Sequence, residues 1–183
     1  IDNGSAYAND SGVYLRVHTV DGYGDLVHRS LDDLREGAGA RVEVDDTKED
    51  PLDFALWKAA KSGEPTWPSP WGDGRPGWHI ECVAMSLGIL GDGFDLHGGG
   101  NDLVFPHHEN EIAQSEACTG CKMAEHWFHL THLLVDGGKM SKSAGNFYTL
   151  TQLCEAGFSP AELRYVLISA HYRQPLNFVA KDK

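Results

Sequence analysis

At 183 residues the chain has room for one domain of ordinary size or two small ones, and with 41% hydrophobic residues it can bury a core rather than remain disordered. Fifteen Lys+Arg against 27 Asp+Glu leave a formal charge of −12, which argues against a nucleic-acid surface within this segment. The only visible basic spots are Lys139/Lys142 and the region of Arg164 and Arg173. No apolar run approaches the roughly 18–20 residues that a membrane helix needs, so no membrane partner is expected.

Four cysteines are too few for a disulfide framework at this length, and together with ten histidines they favour a reducing, cytoplasmic setting and possible metal chemistry. The opening Ile1-Asp2-Asn3-Gly4 reads as mid-sequence.

In chain order, Val13-Tyr14-Leu15-Arg16-Val17 has strand periodicity after a turn cluster, Asn9-Asp10-Ser11-Gly12. Ser30 to Leu34 predicts a short helix, with Ser30 as N-cap and Asp33 three residues on. Residues 53–60 read as another helix. From Ser62 to Gly77 the prolines at 65, 68, 70 and 76 argue against any regular element and suggest a boundary or a long functional loop.

Beyond it, 79–90 predicts a helix, and 93–97 a short buried strand ending in Gly98-Gly99-Gly100. Residues 107–118 predict a helix and 127–135 a strand. That alternation suggests part of a parallel, doubly wound sheet, which binds ligands beyond the carboxyl ends of its strands. From Thr149 two helices follow, the second opened by Ser159-Pro160.

Two constellations carry chemistry. In His107-His108-Glu109-Asn110-Glu111, His107 and Glu111 stand i and i+4 on a helix, about 5–6 Å apart on one face. With Cys82 they offer the N, O and S donors that zinc accepts. A hydrogen-bonded helical face would carry the same His/Glu spacing. In Lys139-Met140-Ser141-Lys142-Ser143, two ammonium groups on a glycine-flanked loop could close over a triphosphate.

Two other strings carry less. Cys118-Thr119-Gly120-Cys121 is a lone CxxC at a helix end. His97-Gly98-Gly99-Gly100 has the form of an esterase oxyanion loop, but no G-x-S-x-G elbow accompanies it.

The strings GRPGWHIEC (from Gly74), FDLHGGGNDLVFPHHENEIAQSE (from Phe94), KMSKSAGN (from Lys139) and SAHYRQPLNF (from Ser169) resemble cysteinyl-tRNA synthetase, a class I enzyme. The likeness extends along essentially the whole chain, through the weaker ARVEVDDTKEDPLDFALWK from Ala40.

This resemblance implies an α/β fold, the second half of a Rossmann-like catalytic fold. Residues 1–75 would be a connective insertion, 76–148 the second catalytic half with the KMSKS loop, and 149–183 the start of a helical stem-contact region. It implies zinc held by Cys82, His107 and Glu111, with a further cysteine in a preceding segment. Trp78 and His97 would line the amino-acid pocket, Lys142 would bind ATP with Mg2+, and Lys139 would assist it in catalysis.

The implied reaction is ATP-dependent activation of L-cysteine and its transfer to tRNA(Cys). A thiolate bond to zinc that serine cannot imitate could reach roughly 10⁴–10⁵ discrimination. The family's His-Ile-Gly-His signature and anticodon-binding domain are not among these residues, so the chain alone is expected to be inactive and prone to self-association through an unpaired strand edge. The alternatives are a cysteine ligase of mycothiol synthesis and a non-catalytic zinc-binding remnant.

Overall fold

The computed structural model describes residues 1–39, 47–141, 143 and 145–179, with backbone alone at 37–39. These residues form two compact units: 1–97 with 103–126, and 98–102 with the residues from 127 onward.

The first unit opens with a four-stranded antiparallel sheet in the order β1-β2-β3-β4. Its strands are β1 (Ala6–Asn9), β2 (Gly12–Leu15), β3 (Phe54–Ala59) and β4 (Gly74–Pro76). The strand predicted from Val13 ends at Leu15, where Val17–Thr19 turns as a single 3₁₀ step.

Helix α1 (Leu31–Gly39) starts where predicted. Ser30 Oγ accepts from the Asp33 amide, and the Ser30 amide donates back to the Asp33 carboxylate.

The segment read as a helix over 53–60 instead forms strand β3, Phe54–Ala59, and here the local reading was wrong. Ala55, Leu56, Lys58 and Ala59 favour a helix intrinsically, but β3 lies between β2 and β4 and exchanges ladder bonds with both. The glycines on its neighbours make this possible. A Cβ at Gly74 would strike the Lys58 carbonyl, and one at Gly77 the Ala55 carbonyl. For the same reason the proline-rich stretch is not wholly irregular, since it closes through a Trp67–Gly74 bridge into β4.

Leu15, Val17, Tyr23, Leu34, Leu52, Phe54 and Ala113 form the core of this unit. Asp53 is buried beneath the sheet, where it accepts from Tyr7 Oη (3.0 Å) and from the amides of Val17 (2.9 Å) and Asp50 (3.1 Å). A buried carboxylate with three donors ties both sheet and loops into one body.

Helix α2 (Trp78–Leu90) packs on α3 (Glu109–Thr119) and against β3. Strand β5 (Phe94–Gly100) pairs with β6 (Ala124–Leu130). The glycine triplet belongs to β5 rather than following it, and Asp95 and Leu96 are exposed, so the expectation of a buried strand fails. The strand predicted over 127–135 is two strands, β6 and β7 (Leu133–Val135), separated at Thr131-His132.

In the second unit β7 pairs antiparallel with β8 (Gly138–Lys139) and parallel with β9 (Leu176–Phe178), in the order β8-β7-β9. The two expected helices are α4 (Leu150–Glu155) and α5 (Pro160–Ser169). Thr149 and Ser159 open them with reciprocal capping boxes, and Pro160 occupies the first turn of α5. Strand β9 was not anticipated, because three residues beside Pro175 give no periodic signal. Helices with parallel and antiparallel sheets make the chain α/β, as expected.

Candidate metal centre and lysine loop

Three elements of the first unit bring their donors together. Helix α2 presents Trp78, His79 and Cys82. An irregular turn, Val104–His108, carries His107 and His108 into the first turn of α3, where Glu111 sits; β5 supplies His97. One donor atom each from Cys82, His107 and Glu111 lies within 4.8 Å of the others, and the same holds for His97, His108 and Glu111. Glu111 belongs to both groups and is completely buried.

Its Oε1 lies 2.6 Å from His107 Nε2, and its Oε2 lies 3.2 Å from His97 Nε2. Despite this closeness, neither contact has hydrogen-bond alignment, and both oxygens are buried without a donor. An orphaned buried carboxylate is costly, and a cation at the convergence point would satisfy it.

The electrostatics agree. Burial pushes the Glu111 carboxyl up to about 7. Burial, and then the negative charges of Glu111 and Glu81, raise the Cys82 thiol. Burial lowers His107 below the usual imidazole range. A cluster that disfavours a thiolate, a carboxylate and an imidazolium lacks one thing, a central positive charge, which would stabilise both anions and leave the imidazole nitrogen free to bind. The donor set fits zinc.

Two residues the sequence reading passed over complete the setting. His79 Nδ1 lies 2.8 Å from His107 Nδ1; in the tautomer where His107 Nδ1–H donates to His79, His107 Nε2 is left free toward Glu111 and Cys82. Burial, and then His107, push His79 down to about 4, so it is neutral. His79 is three residues before Cys82 on α2, and that i,i+3 spacing could have revealed it. His108, buried and edge-on to His97 with ring centroids 4.8 Å apart, is the other.

Trp78 leans over His107, centroids 4.4 Å apart, yet is 58% exposed, so it forms an open aromatic wall beside the cluster.

The start of α3 is held by a loop from the same unit. Glu109 accepts from the amides of Gly24 (2.8 Å) and Val27 (3.2 Å), and Tyr23 Oη donates to Asn110 Oδ1 (2.6 Å). These buried bonds flank the helix positions that aim His107 and Glu111.

Lys139 lies exposed in β8 of the second unit. Lys142 falls outside the described residues. Beside β8, Asn146 accepts from the Ser141 amide (2.9 Å) and donates to the carbonyls of Lys139 (3.2 Å) and Val135 (3.5 Å). Cys118 and Cys121 are exposed free thiols at the end of α3, apart from both metal-type groups.

Against known proteins, the family described as tRNA synthetases class I (C) catalytic domain matches residues 1–182. The chain belongs to that family. A cysteine–tRNA ligase of Chromohalobacter salexigens is 62% identical over 179 residues, and one of Stutzerimonas stutzeri is 60% identical over 179. Each alignment covers 97% of this chain and 38% of the relative. A cysteine–tRNA ligase of Trichlorobacter lovleyi is 57% identical over 178 residues, covering 97% of this chain and 36% of that protein. The chain therefore spans well under half the length of these relatives, and its fold is that of a class I synthetase catalytic domain. Among the described residues no helix is long and apolar enough to cross a membrane.

Proposed function

We propose that the chain is the cysteine-binding part of a cysteine–tRNA ligase, which activates L-cysteine with ATP and transfers it to tRNA(Cys) in the cytoplasm. The observation that carries this reading is the convergence of Cys82, His107 and Glu111 around an unsatisfied buried carboxylate. These three residues would hold a zinc ion. When bound, zinc supplies a bond to the sulfur of cysteine, which the hydroxyl of serine matches poorly.

The remaining steps belong to the chain's own side chains. By accepting from His107 Nδ1–H, His79 would hold the His107 ring in the tautomer that presents Nε2. Trp78 offers an aromatic wall to the amino acid, and His97 a polar contact beside Glu111. Attack of the substrate carboxylate on the α-phosphate needs placement and charge stabilisation more than a base, and Lys139 and Lys142 would place positive charge against the phosphates and their Mg2+. In this reading residues 1–75 are the connective insertion, 76–148 the second catalytic half and 149–183 the start of the stem-contact helices.

Pyrophosphate exchange in the intact protein tests the reading. It should be strong with cysteine, at least about 10³-fold weaker with serine, abolished by a zinc chelator and restored by zinc. Exchange that survives complete metal removal would refute it. The 183-residue chain alone should show no exchange, and an aminoacylation assay with tRNA against one with an amino-sugar acceptor identifies the second substrate.

A further inference from the structure

We propose that the turn at 171–174 is a landing site for the unpaired 3′ end of an RNA, with the exposed His171 ring as its stacking surface and Arg173 as its phosphate contact. The inference rests on the proposed function, which makes tRNA a substrate, and adds the residues of this chain that would receive it.

Three aromatic rings stack at this turn. Tyr172 lies 4.4 Å from Phe128 of β6, centroid to centroid, and 4.6 Å from His171, at interplanar angles of 35° and 27°. Phe128 and Tyr172 are half-buried, whereas His171 is exposed and ends the stack. The Arg173 guanidinium lies 5.4 Å from the Tyr172 centroid and is exposed as well.

The backbone fixes this arrangement in advance. The His171 carbonyl accepts from the Gln174 amide (2.8 Å), which closes the turn. His171 Nδ1 accepts from the Arg173 amide (3.2 Å), so the ring carries its N–H donor at Nε2. On one side the Thr131 amide donates to the Tyr172 carbonyl (3.0 Å). On the other, β9 pairs with β7, and Asn177 Oδ1 accepts from the Gly137 amide (2.9 Å) at the tip of the β7–β8 hairpin.

The place in the fold suits a nucleotide. Asn101 directly follows β5, Thr131 directly follows β6, and the Asn101 side-chain amide donates to the Thr131 hydroxyl (3.2 Å). The stack therefore stands beyond the carboxyl ends of these two strands, where sheets of this class take their ligands.

Charge narrows the choice. The chain carries −12, and in the sequence cations stand out only at Lys139/Lys142 and around Arg164 and Arg173. The proposed function gives the two lysines to the phosphates of ATP and leaves Arg173 unassigned. A polyanion approaching an acidic chain must meet its cations, and unpaired bases are held by stacking on aromatic rings and guanidinium planes. Bases inside a duplex are already stacked on one another, so the single-stranded end is the part of a tRNA that fits an exposed ring.

The test uses the intact protein with tRNA(Cys), either complete or trimmed of its unpaired 3′ nucleotides, and with tRNA(Cys) carrying 2-aminopurine as its last base, whose fluorescence falls on stacking. The unsubstituted protein should bind complete tRNA about tenfold more tightly than trimmed tRNA and should quench the 2-aminopurine. His171→Ala should erase both effects, and His171→Phe, which keeps a stacking ring, should retain them. Arg173→Ala should lower the slope of log affinity against log salt by about one.

Equal loss of affinity for complete and trimmed tRNA in His171→Ala would mean a merely structural ring and overturns the site. A raised KM for ATP in place of weaker tRNA binding overturns the assignment to RNA. Normal charging of tRNA(Cys) by the unsubstituted protein with no quenching sinks this inference alone, whereas failure to charge tRNA(Cys) at all sinks the proposed function beneath it.

Discussion

The metal-type cluster and the lysine loop are built on opposite principles. Around Glu111 the side chains are interior: His107, His108, Glu109 and Asn110 are all buried, and the backbone that carries them is clamped by Tyr23, Gly24 and Val27. From Lys139 to Tyr148 the described side chains are exposed or half-buried, and a few amide bonds hold the backbone. Under the proposed function the contrast has a reason: a group that rejects serine gains from rigidity and exclusion of water, whereas one that admits and releases a triphosphate cannot be sealed inside a core.

That contrast can be broken experimentally. The largest effect belongs to Glu111→Gln, which should lower zinc affinity by more than the roughly 10–100-fold that outer partners of a metal site contribute. It should at the same time raise the stability of the metal-free chain, because a buried, unsatisfied charge is removed. Chelator competition and urea denaturation read the two signs. A variant that loses stability without zinc would show that the carboxylate is satisfied internally.

Next is Leu15→Ala, in the core beneath the sheet, which should cost about 2–5 kcal/mol in urea denaturation. His79→Ala follows. By freeing His107 from its 2.8 Å partner it should weaken zinc about 10–100-fold with little change in folding. If zinc binding is unaffected, the tautomer is set elsewhere. The smallest effect is Asn177→Ala at the hairpin tip, about 1 kcal/mol of local stability by hydrogen exchange, with zinc content untouched. A change in zinc content there would deny that the two regions are separately built.

What the residues alone disclosed divides along the same line. The His107/Glu111 pair was legible because its spacing is helical, and Cys82 was joined to it by the family resemblance; α2, α3, α4 and α5 carried their own periodicity or caps. The β3 strand was not legible, since its Ala- and Leu-containing segment takes its conformation from neighbours distant in sequence, helped by Gly74 and Gly77. His79 was legible only as a residue one helical turn before Cys82; its contact with His107, 28 residues away, is fixed only when the chain folds, and so is the reach of the Asn146 amide back to Val135, 11 residues earlier.

The most direct test of the account is cobalt in place of zinc. The chain loaded with Co2+ should show a thiolate-to-cobalt charge-transfer band that disappears in Cys82→Ser. L-cysteine, but not L-serine, should intensify the band in the unsubstituted chain. An identical spectrum from Cys82→Ser, or equal responses to the two amino acids, would contradict it.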